Sequence, residues 1–162
     1  MVMYVHIGDA RAAPLYRRSG IRASRGRVRP TGVFAMPVLP NYYSSHQWLR
    51  ELKRSGVRTM VGVYFRVPDD ERVFVGHYRH AHAEMSAAQA ASLISGAEDA
   101  RGYEVLIPRP IQPEEIHAVR AVNAVVGWRY YPEAKGRKPF CRCRSCNRGE
   151  IRGARLWRGQ EG

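Results

Sequence analysis

Residues 102–116, GYEVLIPRPIQPEEI, carry the clearest structural signal in the chain. The Tyr-Val-Leu-Ile residues predict a strand over 102–107, because β-branched and aromatic residues bounded by glycine and proline are typical of strands. The Pro-Glu-Glu step at 113–115 predicts a single helical turn, since proline and acids favour a helix start. Glu104 is the lone acid within the strand. A carboxylate on a core strand is costly without a partner or a task, so Glu104 is a candidate functional residue. The alternative is an outward-facing glutamate paired with an arginine.

The rest of the chain extends the same strand-rich pattern outward from this segment. Further strands are predicted over residues 2–7, 33–38, 58–67, 72–78 and 119–128. The Pro-Asp-Asp turn at 68–70 predicts that strands 58–67 and 72–78 form an antiparallel hairpin. Helices are predicted over residues 10–18, 45–54 and 86–94, the first capped by Asp9. Single helices between strands indicate an α+β fold with a split, mostly antiparallel sheet.

Charge is the strongest global signal. The 162 residues include 27 Lys and Arg against 14 Asp and Glu, a net charge of +13, and 44% of the residues are hydrophobic. This composition predicts a globular protein that meets a polyanion such as nucleic acid, although a general bias towards arginine is the alternative. Because neither a signal peptide nor a long apolar run is evident, we expect a cytoplasmic protein with no membrane partner.

Three cysteines, Cys141, Cys143 and Cys146, lie within six residues near the end of the sequence. So tight a set is a poor disulfide framework, and it predicts a zinc knuckle that needs a fourth ligand. His77, His80, His82 or His117 are the candidates for that ligand; free thiols are the alternative. The sequence therefore divides into a main domain over 1–135 and a basic, cysteine-bearing element over 136–162. Nucleic-acid contacts are predicted in that element for Arg142, Arg144 and Arg148.

One ordered set of segments resembles a known superfamily. A strand with His6 is followed by Gly20-Ile21, by GVFA at 32–35, by NYYS at 41–44, and finally by the segment around Glu104. Over about residues 4–118 this order resembles the ADP-ribosyltransferases of the diphtheria-toxin and poly-ADP-ribose polymerase type. The resemblance implies that residues 1–135 form a catalytic domain. It also implies a His, Tyr, Glu triad on three successive core strands and NAD as the substrate.

The resemblance assigns roles to individual residues. It implies that His6 hydrogen-bonds the adenosine ribose, that Tyr43 stacks on the nicotinamide, and that Glu104 stabilises the transition state. The predicted catalytic residues are therefore Glu104, Tyr43 and His6, and the predicted NAD-binding residues are His6, Gly8, Tyr42, Tyr43, Ser44 and Arg22. Tyr42 is the alternative to Tyr43 as the triad member. A half-buried histidine with a structural partner is the alternative role for His6.

One departure from the family pattern concerns the acceptor. The family often has a second Glu or Gln two residues before the catalytic Glu, where this sequence has Gly102. The departure favours a nucleic acid or nucleotide over a protein acceptor, with Arg25, Arg27 and Arg29 as candidate phosphate contacts. Two other functions fit the same residues. They are a zinc-containing nucleic-acid-binding module without enzymatic activity and an RNA 2′-phosphotransferase of the same fold.

Overall fold

A computed structural model describes residues 1–24, 30–54, 57, 59–78, 80–123 and 126–127. Within these residues, seven strands form one antiparallel sheet in the order β5-β4-β6-β2-β1-β3-β7. The strands are β1 Val2–Asp9, β2 Val33–Pro37, β3 Met60–Val67, β4 Arg72–His77, β5 Ala83–Ser86, β6 Tyr103–Ile107 and β7 Ile116–Ala121. The predicted α+β class with an antiparallel sheet is confirmed.

Short helices lie between the strands. They are α1 Ala13–Ser19, α2 Tyr42–Ser45, α3 Leu49–Arg54 and α4 Ala87–Ser95, with 3-10 turns at Ala10–Ala12 and Pro113–Glu115. Asp9 accepts a hydrogen bond from the Arg11 backbone N–H, and Ser86 forms a capping box with Gln89. The predicted single helix over 45–54 is wrong. Asn41 caps the first turn by accepting from the N–H groups of Tyr43 and Ser44, so α2 begins earlier and ends before α3.

The predicted hairpin between strands 58–67 and 72–78 is also wrong. Both strands exist, but β3 lies between β1 and β7, whereas β4 lies between β5 and β6. Both edges of β3 are occupied, because it pairs with β1 along its whole length, from Met60 opposite Asp9 to Val67 opposite Val2, and with β7 on its other side. The turn after β3 therefore leads the chain across to the other half of the sheet.

The last predicted strand, over 119–128, begins three residues earlier than expected. Strand β7 starts at Ile116, directly after the 3-10 turn, and Ile116 pairs with Phe65 of β3. The turn that the Pro-Glu-Glu step creates therefore leads straight into the edge strand.

Two hydrophobic clusters hold the sheet and helices together. The larger contains fully buried Tyr4, Phe65 and Ile107, and α4 packs on it through Ala87, Ala90 and Ile94. The Tyr4 hydroxyl donates to the Ala87 carbonyl over 2.9 Å, which satisfies a buried polar group at this contact. The smaller cluster contains Leu49 of α3, Met60 of β3 and Val126. No helix in the described ranges is long and apolar enough to cross a membrane.

The sheet opens between β1 and β2. Backbone pairing of these strands covers only Tyr4 opposite Pro37 and Val5 opposite Met36, although β1 continues to Asp9. Beyond Val5 the strands separate, leaving the β5-β4-β6-β2 half on one side and the β1-β3-β7 half on the other. We call this opening between β1 and β2 the cleft.

Candidate active site in the cleft

A cavity of about 290 Å³ lies in the cleft. Its wall includes His6 from β1, Phe34 from β2 and Glu104 from β6, three strands that are adjacent in the sheet. Trp48 and Leu52, from the segment that includes α3, complete the apolar side. Two of the three predicted triad residues are thus brought together at the point where the sheet splits.

His6 spans the cleft at its base. Its ring nitrogen Nδ1 lies 2.7 Å from the carbonyl oxygen of Phe34. A carbonyl can only accept, so Nδ1 carries the proton and donates, which leaves Nε2 of the neutral ring as an acceptor. Burial lowers the pKa of His6 below its usual value, although the bond to Phe34 acts in the opposite direction. His6 is therefore neutral near pH 7, with a donor at Nδ1 and an acceptor at Nε2.

Glu104 faces the cleft from the opposite half of the sheet. It lies opposite Gly76 of β4, and its side chain is only 14% exposed. Its Oε1 lies 3.1 Å from Nε2 of His82, whose side chain is 12% exposed. Glu104 is thus a nearly enclosed carboxylate beside an imidazole, and not an outward-facing side chain.

Gln47 and Trp48 fix the start of the strand that carries Glu104. Gln47 is fully buried, and its Nε2 donates to the carbonyl groups of Ser44 and Ala100 over 3.1 and 2.9 Å. Its Oε1 accepts from the Gly102 N–H over 2.7 Å, and the Trp48 indole N–H donates to the Tyr103 carbonyl over 2.9 Å. The position of Gln47 could not be predicted from the sequence, because a polar residue beside a helical segment gives no sign that it is buried.

A second cavity, of about 480 Å³, shares part of its wall with the first. His6 and Phe34 line both cavities, and the second also includes Tyr16, Arg18, Arg22 and Ser24. The neighbouring arginines have structural partners: Arg11 pairs with Asp9, and Arg17 donates to the Val119 carbonyl. Among the described arginines of this region, Arg18 and Arg22 line the cavity. Arg22, a predicted NAD-binding residue, is thus part of its wall.

A third cavity, of about 380 Å³, lies on the other side of Phe34. Phe34, Leu106 and Phe74 are successive cross-strand partners on β2, β6 and β4, so they share one face of the sheet. With His80 and His82 they form the wall of this cavity. The surface is aromatic and apolar, with imidazoles as its polar groups.

The predicted residues that follow β2 lie away from the cavities. Tyr42 is 38% exposed, stacks on His46 and accepts from the Asn123 N–H. Tyr43 packs against the smaller hydrophobic cluster, and Ser44 is buried. Tyr43 is thus placed in hydrophobic packing, and Phe34 is the aromatic residue that shares a cavity wall with His6.

The two glycines singled out by sequence analysis are both covered by side chains. The Tyr16 ring occupies the space above Gly8, where a Cβ would meet its hydroxyl group. Gly102 has a φ of +83°, and a Cβ there would meet the His77 ring. A residue with a side chain at 102 would therefore strain the backbone and require the His77 ring to move.

Several predicted sites lie outside the described residues. They comprise Arg25, Arg27, Arg29, Arg142, Arg144, Arg148, Cys141, Cys143 and Cys146, together with the whole of element 136–162. In the part of the chain that the structure covers, no group of three or more His, Cys, Asp or Glu is arranged to hold a metal. His77, His80 and His82 thus form no metal cluster among themselves. The zinc knuckle stays a prediction.

The lowered pKa of His6 predicts a pH-dependent stability. Because folding disfavours its protonated form, the unfolded chain binds more protons as the pH falls below the ordinary histidine pKa of about 6.5, and folding free energy is lost there. The unfolding temperature should therefore fall on acidification from pH 7 to 5, and His6→Gln should make the fall shallower. Exposed His117→Gln is the control. If the unfolding temperature of His6→Gln fell with pH as steeply as that of the native protein, the lowered pKa of His6 would be contradicted.

Comparison with known proteins gives no family for this chain. No protein-family model matches it, and neither the curated proteins nor the solved structures contain a detectable match.

Proposed function

We propose that the protein is an NAD-dependent ADP-ribosyltransferase that modifies a nucleic acid or nucleotide and releases nicotinamide. The observation that supports this most strongly is that His6 and Glu104 line the same cavity. They lie on β1 and β6, which flank β2 in the sheet. The sequence resemblance implies a triad on three successive core strands, and two of its members have that arrangement here. We also propose that the antiparallel sheet is of the ADP-ribosyltransferase type.

The first two cavities are proposed to hold the two halves of a dinucleotide. They share His6 and Phe34 in their walls, which supports placing one extended ligand across both. In the proposal, the nicotinamide ribose lies beside Glu104 in the first cavity, and the adenosine and pyrophosphate lie in the second. Nε2 of His6 accepts from a ribose hydroxyl, while Arg18 and Arg22 are near enough to the second cavity to neutralise phosphates.

Glu104 supplies the electrostatic part of the proposed chemistry. Its carboxylate accepts a hydrogen bond from the 2′-hydroxyl of the nicotinamide ribose and opposes the positive charge that develops on that ribose. The bond between the ribose C1′ and the nicotinamide nitrogen breaks, and its electron pair leaves with neutral nicotinamide. A lone pair of the acceptor forms the new bond to C1′, and the acceptor proton passes to solvent.

The third cavity and the net charge favour a nucleic-acid or nucleotide acceptor. The cavity is lined in part by His82, which contacts Glu104, and its Phe34 and Phe74 are aromatic residues on which a base could stack. The net charge of +13 attracts a polyanion. Together these features supply an acceptor site next to the position where the ribose C1′ is proposed to lie.

Phe34 takes the stacking role that the resemblance gave to Tyr43. We therefore expect Phe34→Leu to weaken NAD binding, because an aromatic pair contributes about 0.5–1.5 kcal/mol beyond its buried area, or roughly two- to tenfold in affinity. Tyr42→Leu makes the same type of change outside the cavities and should leave the affinity within about twofold. Isothermal titration calorimetry with NAD compares the two variants. Equal weakening, or weakening in Tyr42→Leu alone, would refute the proposed nicotinamide position.

A further inference from the structure

The connection between β2 and β3 passes over the cleft. Both strands pair antiparallel with β1 and lie on opposite sides of it, so β2 and β3 run in the same direction. Strands that run in the same direction need a crossover connection, which here contains α2 and α3. We call residues 41–54 of this connection the roof, because its Ser45, Trp48 and Leu52 line the first cavity.

We propose that His46 and Tyr64 are positioning residues that hold the roof over the cleft and so fix one wall of the first cavity. His46 belongs to the roof, and Tyr64 lies on β3. The three cavities described above are lined by other residues, so these two act on a bound ligand only through the roof. The identity of that ligand as NAD rests on the proposed function, whereas the contact between the roof and the sheet does not.

The His46 ring joins the roof to β3. Its Nδ1 lies 2.8 Å from the backbone carbonyl of Tyr42, which can only accept, so Nδ1 carries a proton. Burial lowers the pKa of His46, although the bond to Tyr42 acts in the opposite direction, so the ring is neutral near pH 7. Its Nε2 is then a bare acceptor, and the Tyr64 hydroxyl donates to it over 2.9 Å. His46 is only 3% exposed, so water does not readily replace this bond.

The residues that follow His46 join the roof to the other half of the sheet. Gln47 accepts from the Gly102 N–H over 2.7 Å, and the Trp48 indole donates to the Tyr103 carbonyl over 2.9 Å, at the start of β6. Three consecutive side chains of the roof thus reach strands on both sides of the cleft. Backbone pairing of β1 with β2 ends where the cleft begins, so these side-chain bonds brace the part where the two strands separate.

Tyr64→Phe removes the bond to β3 with little other change. The ring stays, but Nε2 of His46 loses its donor in a buried position, which costs about 1–3 kcal/mol, or roughly five- to 150-fold in the equilibrium between a held and a released roof. Leu49 of the roof is fully buried and belongs with Met60 of β3 to the smaller hydrophobic cluster. This apolar contact remains in the variant, so the roof should loosen without detaching.

Hydrogen exchange in the full chain without NAD tests the contact itself. The N–H groups of Leu49 and Leu52 donate to the carbonyls of His46 and Trp48, so their exchange reports release of the roof. We expect these two amides to exchange roughly five- to 150-fold faster in Tyr64→Phe, while the amides of β4 change much less. Equal exchange of the two amides in Tyr64→Phe and in the native protein would overturn the proposal.

Calorimetry with NAD tests the effect on the cavity. In Tyr64→Phe the affinity should fall by at least about twofold, and by no more than the factor found in hydrogen exchange, because only the held roof completes the cavity wall. Tyr4→Phe is the matched control, since it removes the same hydroxyl group from a fully buried tyrosine that donates to the Ala87 carbonyl. It should keep the native affinity within about twofold and the native exchange of the roof. Tyr42→Leu keeps the backbone carbonyl that holds His46, so it also leaves the roof in place.

The two measurements separate this proposal from the proposed function. Faster roof exchange in Tyr64→Phe, with no NAD binding by the native protein, would refute the proposed function and leave the contact between the roof and β3 standing. NAD binding by the native protein, with equal affinity in Tyr64→Phe and Tyr4→Phe, would refute the positioning role of His46 and Tyr64 alone.

Discussion

Replacing Glu104 with Gln is expected to slow nicotinamide release from NAD by about 10²- to 10³-fold, equivalent to roughly 2.7–4 kcal/mol of barrier. Gln keeps the size of the side chain and can still accept a hydrogen bond through its carbonyl oxygen, but it carries no charge. Since the cavity wall around Glu104 includes Trp48, Phe34 and Leu52, the missing charge is poorly replaced by water. The effect should appear in kcat, which initial rates at saturating NAD measure.

The matched control is Glu84→Gln. Glu84 is an exposed carboxylate on edge strand β5, where it pairs with Arg72. This variant removes the same charge from the same half of the sheet but outside the cleft, and it should keep nearly the native rate. A Glu104→Gln protein with native kcat would remove the proposed mechanism, whatever the affinity for NAD.

Replacing Gln47 with Ala is expected to lower the free energy of unfolding by about 3 kcal/mol or more, because a buried group left without its partner costs about 1–3 kcal/mol. Gln47 satisfies three backbone groups, those of Ser44, Ala100 and Gly102, from a fully buried position. Truncation leaves these groups without the Gln47 side chain and creates a cavity beneath the start of β6. Urea denaturation followed by circular dichroism measures the change.

Gln89→Ala provides the comparison for this effect. Gln89 is exposed and belongs to the capping box of α4, where its side chain accepts from the Ser86 N–H. Water can replace that bond, so the variant should lose only about 0.5–1 kcal/mol. If both variants lost the same stability, the hydrogen bonds of Gln47 would not be what holds the start of β6.

Local sequence patterns predicted the strands well but not their neighbours. The apolar runs that became β1, β2, β3, β4 and β6 follow from residue type and from bounding glycines and prolines. The hairpin prediction failed because a turn sequence reports where the chain bends and not which strand lies beside it. Strand β3 instead lies between β1 and β7. In the chain, β2 separates β1 from β3, and β4, β5 and β6 separate β3 from β7.

In the candidate site, too, local features could be predicted from the sequence, whereas contacts between distant segments could not. Glu104 and His6 could be predicted because a lone acid on a core strand and a strand histidine are visible in the sequence. The position of Phe34 in the walls of three cavities could not, since a phenylalanine in an apolar strand resembles any core residue in the sequence. The contact of His82 with Glu104 depends on a loop folding over Gly76, and no spacing rule predicts it.

NAD binding to the native protein and to His6→Ala, measured by calorimetry up to millimolar NAD, tests the central claim most directly. Nδ1 of His6 is held by the Phe34 carbonyl, and His6 lines both cavities proposed for the dinucleotide. The account predicts binding by the native protein that His6→Ala abolishes and that Glu104→Gln largely keeps. No binding of millimolar NAD by the native protein would contradict it and would favour the nucleic-acid-binding module.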